Sequence, residues 1–321
     1  MIALLATLLL APLYDVQRVP AGEDSVPVAL AGSKVLGNSA RGPWIWDGGA
    51  SVRYLFPGDS RQLIAMGFNE RGDVVGYELS GKQKRAFVHA NGTLTFPGTL
   101  GGDFSMGVGI SSGGRVAGDA KTGSGEYHSF AYENGSVRDL GTLGGDETMT
   151  LAVSPGGNVT GESQAADGTR RAFLWDGRSM RDLGSLGGEY AQGQAVNDKG
   201  MVAGLSELVP GDHKIHGFLW DGSAMQDLGI LPGLPWTSAT GVNEAGVIVG
   251  NVYNKPDYNG DHYDTFAYVF RDGRMWNLNE LIPPSTFALL ISLGINDAGQ
   301  ILCTDGQVGQ QRAHGYLLTP R

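Results

Sequence analysis

The chain has 321 residues, a formal charge of −10 and an isoelectric point near 5.0. With 41% hydrophobic residues it can build a large core, which excludes wholesale disorder; the acidic balance lacks the basic footprint of a nucleic-acid binder. Glycine supplies 52 residues without a three-residue period, so a collagen helix is excluded, and the single cysteine, Cys303, allows neither an intramolecular disulfide nor a cysteine-based metal cluster.

Residues 1–13 (MIALLATLLLAPL) form an apolar run shorter than the ~20 residues of a bilayer-crossing helix. They resemble the hydrophobic region of a secretory signal, with the basic start missing; the alternative is an apolar first strand. We expect an export leader here and no membrane span. Tyr14–Val19 (YDVQRV) follows as an isolated strand-like segment.

From there the chain repeats itself. GFNERGDVVG closes at Gly76, GISSGGRVAG at Gly118, AVSPGGNVTG at Gly161, AVNDKGMVAG at Gly204 and GVNEAGVIVG at Gly250, so the closing glycines step by 42, 43, 43 and 46 residues. A second shared piece aligns without gaps as HSFAYENGSVRDLGTLGG (128–145), RAFLWDGRSMRDLGSLGG (171–188) and HGFLWDGSAMQDLGILPG (216–233). A copy beginning at Gly294 and a weaker one closing at Gly37 bring the total to seven. The boundaries fall near 14–58, 59–100, 101–143, 144–186, 187–231, 232–283 and 284–321.

Each copy reads as four short strands. Strand A (194–196) leads through the turn Asn197–Gly200 to strand B (201–204), and strand C (218–220) leads through Asp221-Gly222 to strand D (225–228). Asp221-Gly222, Asn134-Gly135, Asp176-Gly177 and Asp272-Gly273 have the chemistry of two-residue hairpin turns. Strand C is apolar on both faces: Ala172 and Leu174 point one way, Phe173 and Trp175 the other. Such a strand must be covered on both sides, which a lone four-stranded sheet cannot do. Units of this length and strand count fit the blades of a propeller. The prediction is a single all-β domain over 14–321, a seven-bladed β-propeller of four-stranded antiparallel blades, with six as the alternative count. The last copy stops after strand C, so the N-terminal strand is expected to complete that blade and remove its open edge.

The pairing of N-[DE]-x-G-x-V-x-G with [HR]-[AG]-F-L-W-x-x-G-x-M-x-D-L-G-x-L-G-G resembles the bacterial HAF repeat, well over 60–318 and less well over 14–59. The best-matching positions are Asn197, Gly200, Gly204, His216, Phe218, Trp220, Met225, Asp227, Leu228 and Gly229. The resemblance implies an extracellular propeller and brings no catalytic residues, the family having no established biochemical role.

His128, His216 and His314 share one repeat position, and Asp139, Asp182 and Asp227 another, so both sets are expected to bond neighbouring turns or strands. Arg71-Gly72-Asp73 spells an adhesion tripeptide but falls inside the repeated turn. Asp103, Asp146 and Glu189 share the position after the Gly-Gly corner and are expected to cap it. Cys303 is expected to be a small buried apolar group. Asp257, Asn259, Asp261 and Asp264 alternate oxygen ligands as calcium prefers, although Gly260 precedes Asp261 and the distal Glu is absent. A polar hairpin extension explains the same residues, and no other cofactor is implied.

In a propeller the D–A and B–C connections share one face, and loops over a rigid scaffold carry recognition. The D–A connections offer Phe104, Tyr190 and Trp236; the B–C connections offer Tyr127, His213, Tyr258, His262 and Tyr263. The leading expectation is a non-enzymatic, monomeric, secreted or cell-surface module, extracellular or periplasmic, that binds carbohydrate or an extracellular protein. Its rival is a polysaccharide hydrolase or lyase, which needs one acidic cluster that breaks the repeat symmetry. A structural cell-envelope repeat is the third reading.

Overall fold

A computed structural model describes residues 13–211, 214–254, 265–306 and 313–321. Its strands form seven four-stranded antiparallel sheets, which fixes the blade count at seven. The fifth blade is typical: strand A is Ala191–Val196, B is Val202–Glu207, C is Ile215–Trp220 and D is Met225–Asp227. The seventh consists of Ile291–Ile295, Ile301–Thr304 and Gly315–Pro320, with the N-terminal strand Tyr14–Arg18 on its outer edge. Tyr14 opposes Pro320 and Arg18 opposes Tyr316, so the two ends of the chain close the ring as one antiparallel pair. Leu13 N–H donates to the Leu281 carbonyl (2.8 Å) and Tyr14 is 3% exposed, which anchors the latch in the core.

Two local expectations change. Strand A extends well beyond its apolar core, reaching ten residues in Gly101–Ile110 and Gly144–Val153, because the Gly-Gly corner belongs to the strand. Two-residue turns hold for Asn134-Gly135 and Asp272-Gly273, where Asn134 (φ 53°) and Asp272 (φ 52°) adopt the left-handed region. In the fourth and fifth blades the loop spans four residues instead, with Trp175 opposing Met180 and Trp220 opposing Met225. There the carboxylates of Asp176 and Asp221 accept the N–H groups two and three residues on, which opens the turn.

The core lies between the blades. Seven hydrophobic clusters occur among the described residues, and each bridges two neighbouring blades. One strand-C aromatic fills each seam and faces the preceding blade. Phe173 packs with Ala117 and Ala131, Phe218 with Ala172, and Trp44 with Leu302 and Leu317 of the last blade. Tyr268 and Tyr316 take this position in the sixth and seventh blades. Burying one such ring is worth about 1.5–3 kcal/mol. The aromatic turned one way and the small residue before it turned the other explain why strand C had to be apolar on both faces.

The first turn residue sews the inner ends of the blades together. Asn197 Oδ1 accepts its own turn's Met201 N–H (2.9 Å), while its Nδ2 donates to the Asn243 carbonyl of the next blade (3.0 Å). Asn243 does the same to Asn296, Asn69 to Ser111, and Asn296 to Gly32 across the closing seam (2.7 Å). Ser154 can bond only its own turn, and Asn158 Nδ2 makes the link to Asn197 in its place. The carboxylates that follow join in: Glu244 accepts from Asp198 N–H and Asp297 from Glu244 N–H. Asp73 of the adhesion-like tripeptide is 5% exposed and held by Asn69 and Arg71, so it belongs to this turn architecture.

Two predictions follow from the seams and the latch. Removing residues 1–20 exposes the edge of Gly315–Pro320, and calorimetry or dye melting should show a lowered melting temperature or aggregation; an unchanged melt would contradict the latch. Tyr268 carries a fully buried hydroxyl without a partner, where Phe stands in four other blades. Tyr268→Phe should therefore stabilise the protein by about 1 kcal/mol in denaturant titrations.

Candidate functional site

Every strand A carries a β-bulge at the same place. The pairing with strand B skips a single residue between Ala65 and Gly67, Thr150 and Ala152, and Gly193 and Ala195, and likewise in the other blades. The skipped residues are Val28, Met66, Val108, Leu151 and Leu293, all apolar, together with Gln194 and Thr240. All seven line an axial cavity of about 520 Å³, whose mouth carries Glu70, Glu244 and Asp297. The bulge also explains the closing glycine of the repeat. A Cβ on Gly76, Gly118, Gly161, Gly204 or Gly250 would collide with a strand-A carbonyl oxygen. In the seventh blade Cys303 takes that place, fully buried in the seam, and burial raises its thiol pKa.

The recurrent His and Asp residues form cross-strand supports. His128 Nδ1 meets Asp139 (2.8 Å), His216 Nδ1 meets Asp227 (2.9 Å), and Arg171 replaces the imidazole against Asp182 (2.9 Å). Each of these carboxylates also accepts the N–H of the glycine two residues on, Gly141, Gly184 or Gly229, all at φ 76°. The D-L-G triplet thus ties strand D to strand C and turns the chain toward the next blade. Past the corner, Asp103 lies 3.9 Å from Lys121, while Asp146 and Glu189 engage Gln164 and Glu207 through their backbone N–H groups.

On the D–A/B–C face the aromatic candidates separate. Phe104 and Tyr127 meet edge to face (5.1 Å, 80°) in the third blade, flanked by Lys84 and Lys121. Tyr190 is drawn onto Glu162, to which its hydroxyl donates (2.8 Å). Trp236 begins its strand half-buried opposite Tyr253. Tyr258 and Tyr263, His213 and His262, and the calcium candidates Asp257, Asn259, Asp261 and Asp264 lie outside the described residues. Among the described residues no group of three or more His, Cys, Asp or Glu could hold a metal ion.

The sequence reading missed two features of this face. One is a cleft of about 580 Å³ between the first and second blades, bounded by Ser39, Arg41, Phe56, Asp59, Arg61 and Gln62. Arg61 grips Asp59 through Nε (3.0 Å) and Nη2 (2.5 Å), and that hydrogen bonding holds the Asp59 carboxyl at about 2. The other is a polar cluster that breaks the repeat. Glu162 accepts from Arg170 Nη1 (2.8 Å), the Tyr190 hydroxyl and Gln192 Nε2 (3.1 Å), and Arg170 also bonds Glu147. Neither was visible as a motif, because each unites residues of two blades outside the repeated positions.

Asp119 lies beside this cluster, 1% exposed. Its Oδ1 accepts Thr150 N–H of the next blade (2.7 Å), and its Oδ2 has no partner. Asn38 and Asn251 occupy the equivalent place and bond Ala65 N–H and Ser292 N–H. Desolvation pushes the Asp119 carboxyl up to about 7; the Thr150 and Ser129 hydrogen bonds oppose the rise and the charge of Glu162 adds to it.

No protein-family model and no curated protein matches the chain. Solved structures resemble it in fold. The β-propeller domain of the Trilobed protease from Pyrococcus furiosus is 8% identical with a TM-score of 0.54, over 96% of this chain and 95% of that one. A puromycin-hydrolyzing peptidase from Mycobacterium tuberculosis is 16% identical with a TM-score of 0.53, over 92% of this chain and 49% of that one. TolB from Acinetobacter baumannii is 12% identical with a TM-score of 0.42, over 58% of this chain and 48% of that one. The chain thus spans about half the length of the last two proteins.

The Asp119 carboxyl titrates higher in the fold than its usual value of about 3.9 in an unfolded chain. The folded state therefore holds the extra proton, and stability falls as pH rises from about 4 through about 7. Asp119→Asn supplies the neutral group found in two sister blades. It should stabilise the protein by about 1–3 kcal/mol at pH 8 and by little at pH 4, in melts taken at both.

Proposed function

We propose that this protein is a non-enzymatic binding propeller of the HAF-repeat type, exported to the periplasm or cell surface, which recognises carbohydrate through the cleft between its first and second blades. The observation that carries this reading is the cleft itself. A guanidinium, a bidentate Arg61–Asp59 pair, a hydroxyl and an amide converge beside Phe56 on the rim of a rigid ring. Paired donors and acceptors at fixed spacing suit vicinal hydroxyls, and an aromatic edge suits the C–H face of a sugar.

The hydrolase reading draws on the symmetry-breaking cluster, which is the feature such an enzyme would need. Its carboxylates are engaged, however. Both Glu162 oxygens are occupied by donors, and Asp119 is sealed between two blades. A glycosidase acid or base must reach the scissile bond. Export is supported by the apolar leader; no helix among the described residues is long and apolar enough to cross a membrane.

Glycan-array screening of the full chain, followed by calorimetry on the best hit, tests the proposal. Saturable binding should weaken about tenfold or more in Arg61→Ala, the loss of a charge-assisted pair, and persist in Trp236→Ala. An array without a hit, together with saturable binding to an extracellular protein, would replace carbohydrate by protein as the partner class.

A further inference from the structure

The seventh blade departs from its sisters at the residue opposite the strand-C aromatic. In the third, fourth and fifth blades that residue is Asp139, Asp182 or Asp227, and it holds the His or Arg that begins strand C. The seventh blade takes its strand D from the N-terminus, and the residue opposite Tyr316 is Arg18. A cation there cannot hold His314. The imidazole turns to the residue just after strand B, Asp305, whose Oδ2 accepts from the Tyr316 hydroxyl (2.9 Å) and bonds His314 Nδ1 (2.8 Å), while Oδ1 accepts His314 N–H (2.7 Å). The negative charge of Asp305 is thereby committed to three partners.

The Arg18 side chain is left exposed, with no ion pair or hydrogen bond to another described residue. It shares a sheet face with Val16 and Tyr316, turned toward the sixth blade. Together with Thr286, Phe287, Asp305 and His314 these residues enclose a cleft of about 390 Å³. Phe287, from the connection between the sixth and seventh blades, lies flat on Tyr316 (4.2 Å, 11°) and gives the cleft an aromatic wall. A free guanidinium presents a planar fork of donors that matches a carboxylate, and the aromatic wall suits a ring. His314, oriented through Nδ1, has its Nε2 left for a polar substituent of the same ring.

We propose that the cleft formed where the chain's two ends meet binds a small ring-bearing carboxylate, with Arg18 as its anchor. This site is separate from the cleft between the first and second blades and does not depend on the function proposed there. The shared chemistry is a carboxylate on a six-membered ring, whether an acidic sugar or an aromatic acid.

The test uses the full chain and four probes, D-glucuronate against D-glucose and benzoate against benzamide, by calorimetry or ligand-observed NMR. At least one carboxylate should saturate and bind about tenfold or more tightly than its neutral counterpart, and which one does so identifies the source. Arg18→Gln should remove that preference. Arg18 is exposed on an edge strand, so the variant should keep the wild-type melting temperature. On the wild type, the Arg18 Nε–H resonance should shift as the carboxylate is added. Failure of both carboxylates to saturate, a preference surviving Arg18→Gln, or a resonance that does not move would overturn the proposal.

Discussion

The structure depends on one contact repeated around the ring, an aromatic side chain of strand C wedged against small residues of the blade before it. Phe173 against Ala117 and Ala131 is representative. No blade owns its core, since each hydrophobic cluster spans a seam. A single blade in water would expose both apolar faces of strand C, and an open row would expose them at its two ends. The closed ring is the arrangement that leaves no such face uncovered, and the N-terminal strand completes it by joining the last blade.

Hydrogen bonding then determines how the blades sit around the axis. The turn asparagines place an acceptor on their own loop and a donor on the next, so one residue type orders a turn and sets a blade-to-blade distance. Where serine replaces asparagine at 154, the link survives by moving to Asn158. At a second level, Asn38, Asp119 and Asn251 reach from strand B to the next strand A. Asp119 introduces tension, because a carboxylate fills a place shaped for a neutral amide.

Much of this architecture was legible in the sequence. The stepping glycines gave the repeat, the two-faced apolarity of Phe173 and Leu174 demanded neighbours, and the missing last strand pointed to Tyr14–Val19. The D-L-G triplet and its partnering His were rightly read as structural. Turn length was less legible, because Asp-Gly is shared by two-residue and four-residue loops, and the Asp side chain decides between them by capping. The D–A/B–C face was the least legible part. Tyr190 is one aromatic of a D–A connection in the sequence, and only the fold brings it to Glu162, 28 positions earlier. The clefts at Arg61 and Arg18 could not be seen in one dimension, since the first joins loops of two blades and the second joins residues from opposite ends of the chain.

The bulges have a consequence for how this scaffold can diversify. Each places one residue on the wall of the axial cavity, outside the pairing with strand B. Val28, Met66, Val108, Leu151, Gln194, Thr240 and Leu293 already differ in size and polarity while the blades around them stay alike. The interior of the ring is thus tunable at Val28, Met66, Val108, Leu151 and Gln194, whereas Thr240 bonds Ser292 of the next blade and Leu293 packs on the Trp44 seam. Related chains could evolve distinct axial chemistries on an unchanged frame, with the closing glycine of six of the seven blades as the price of that freedom.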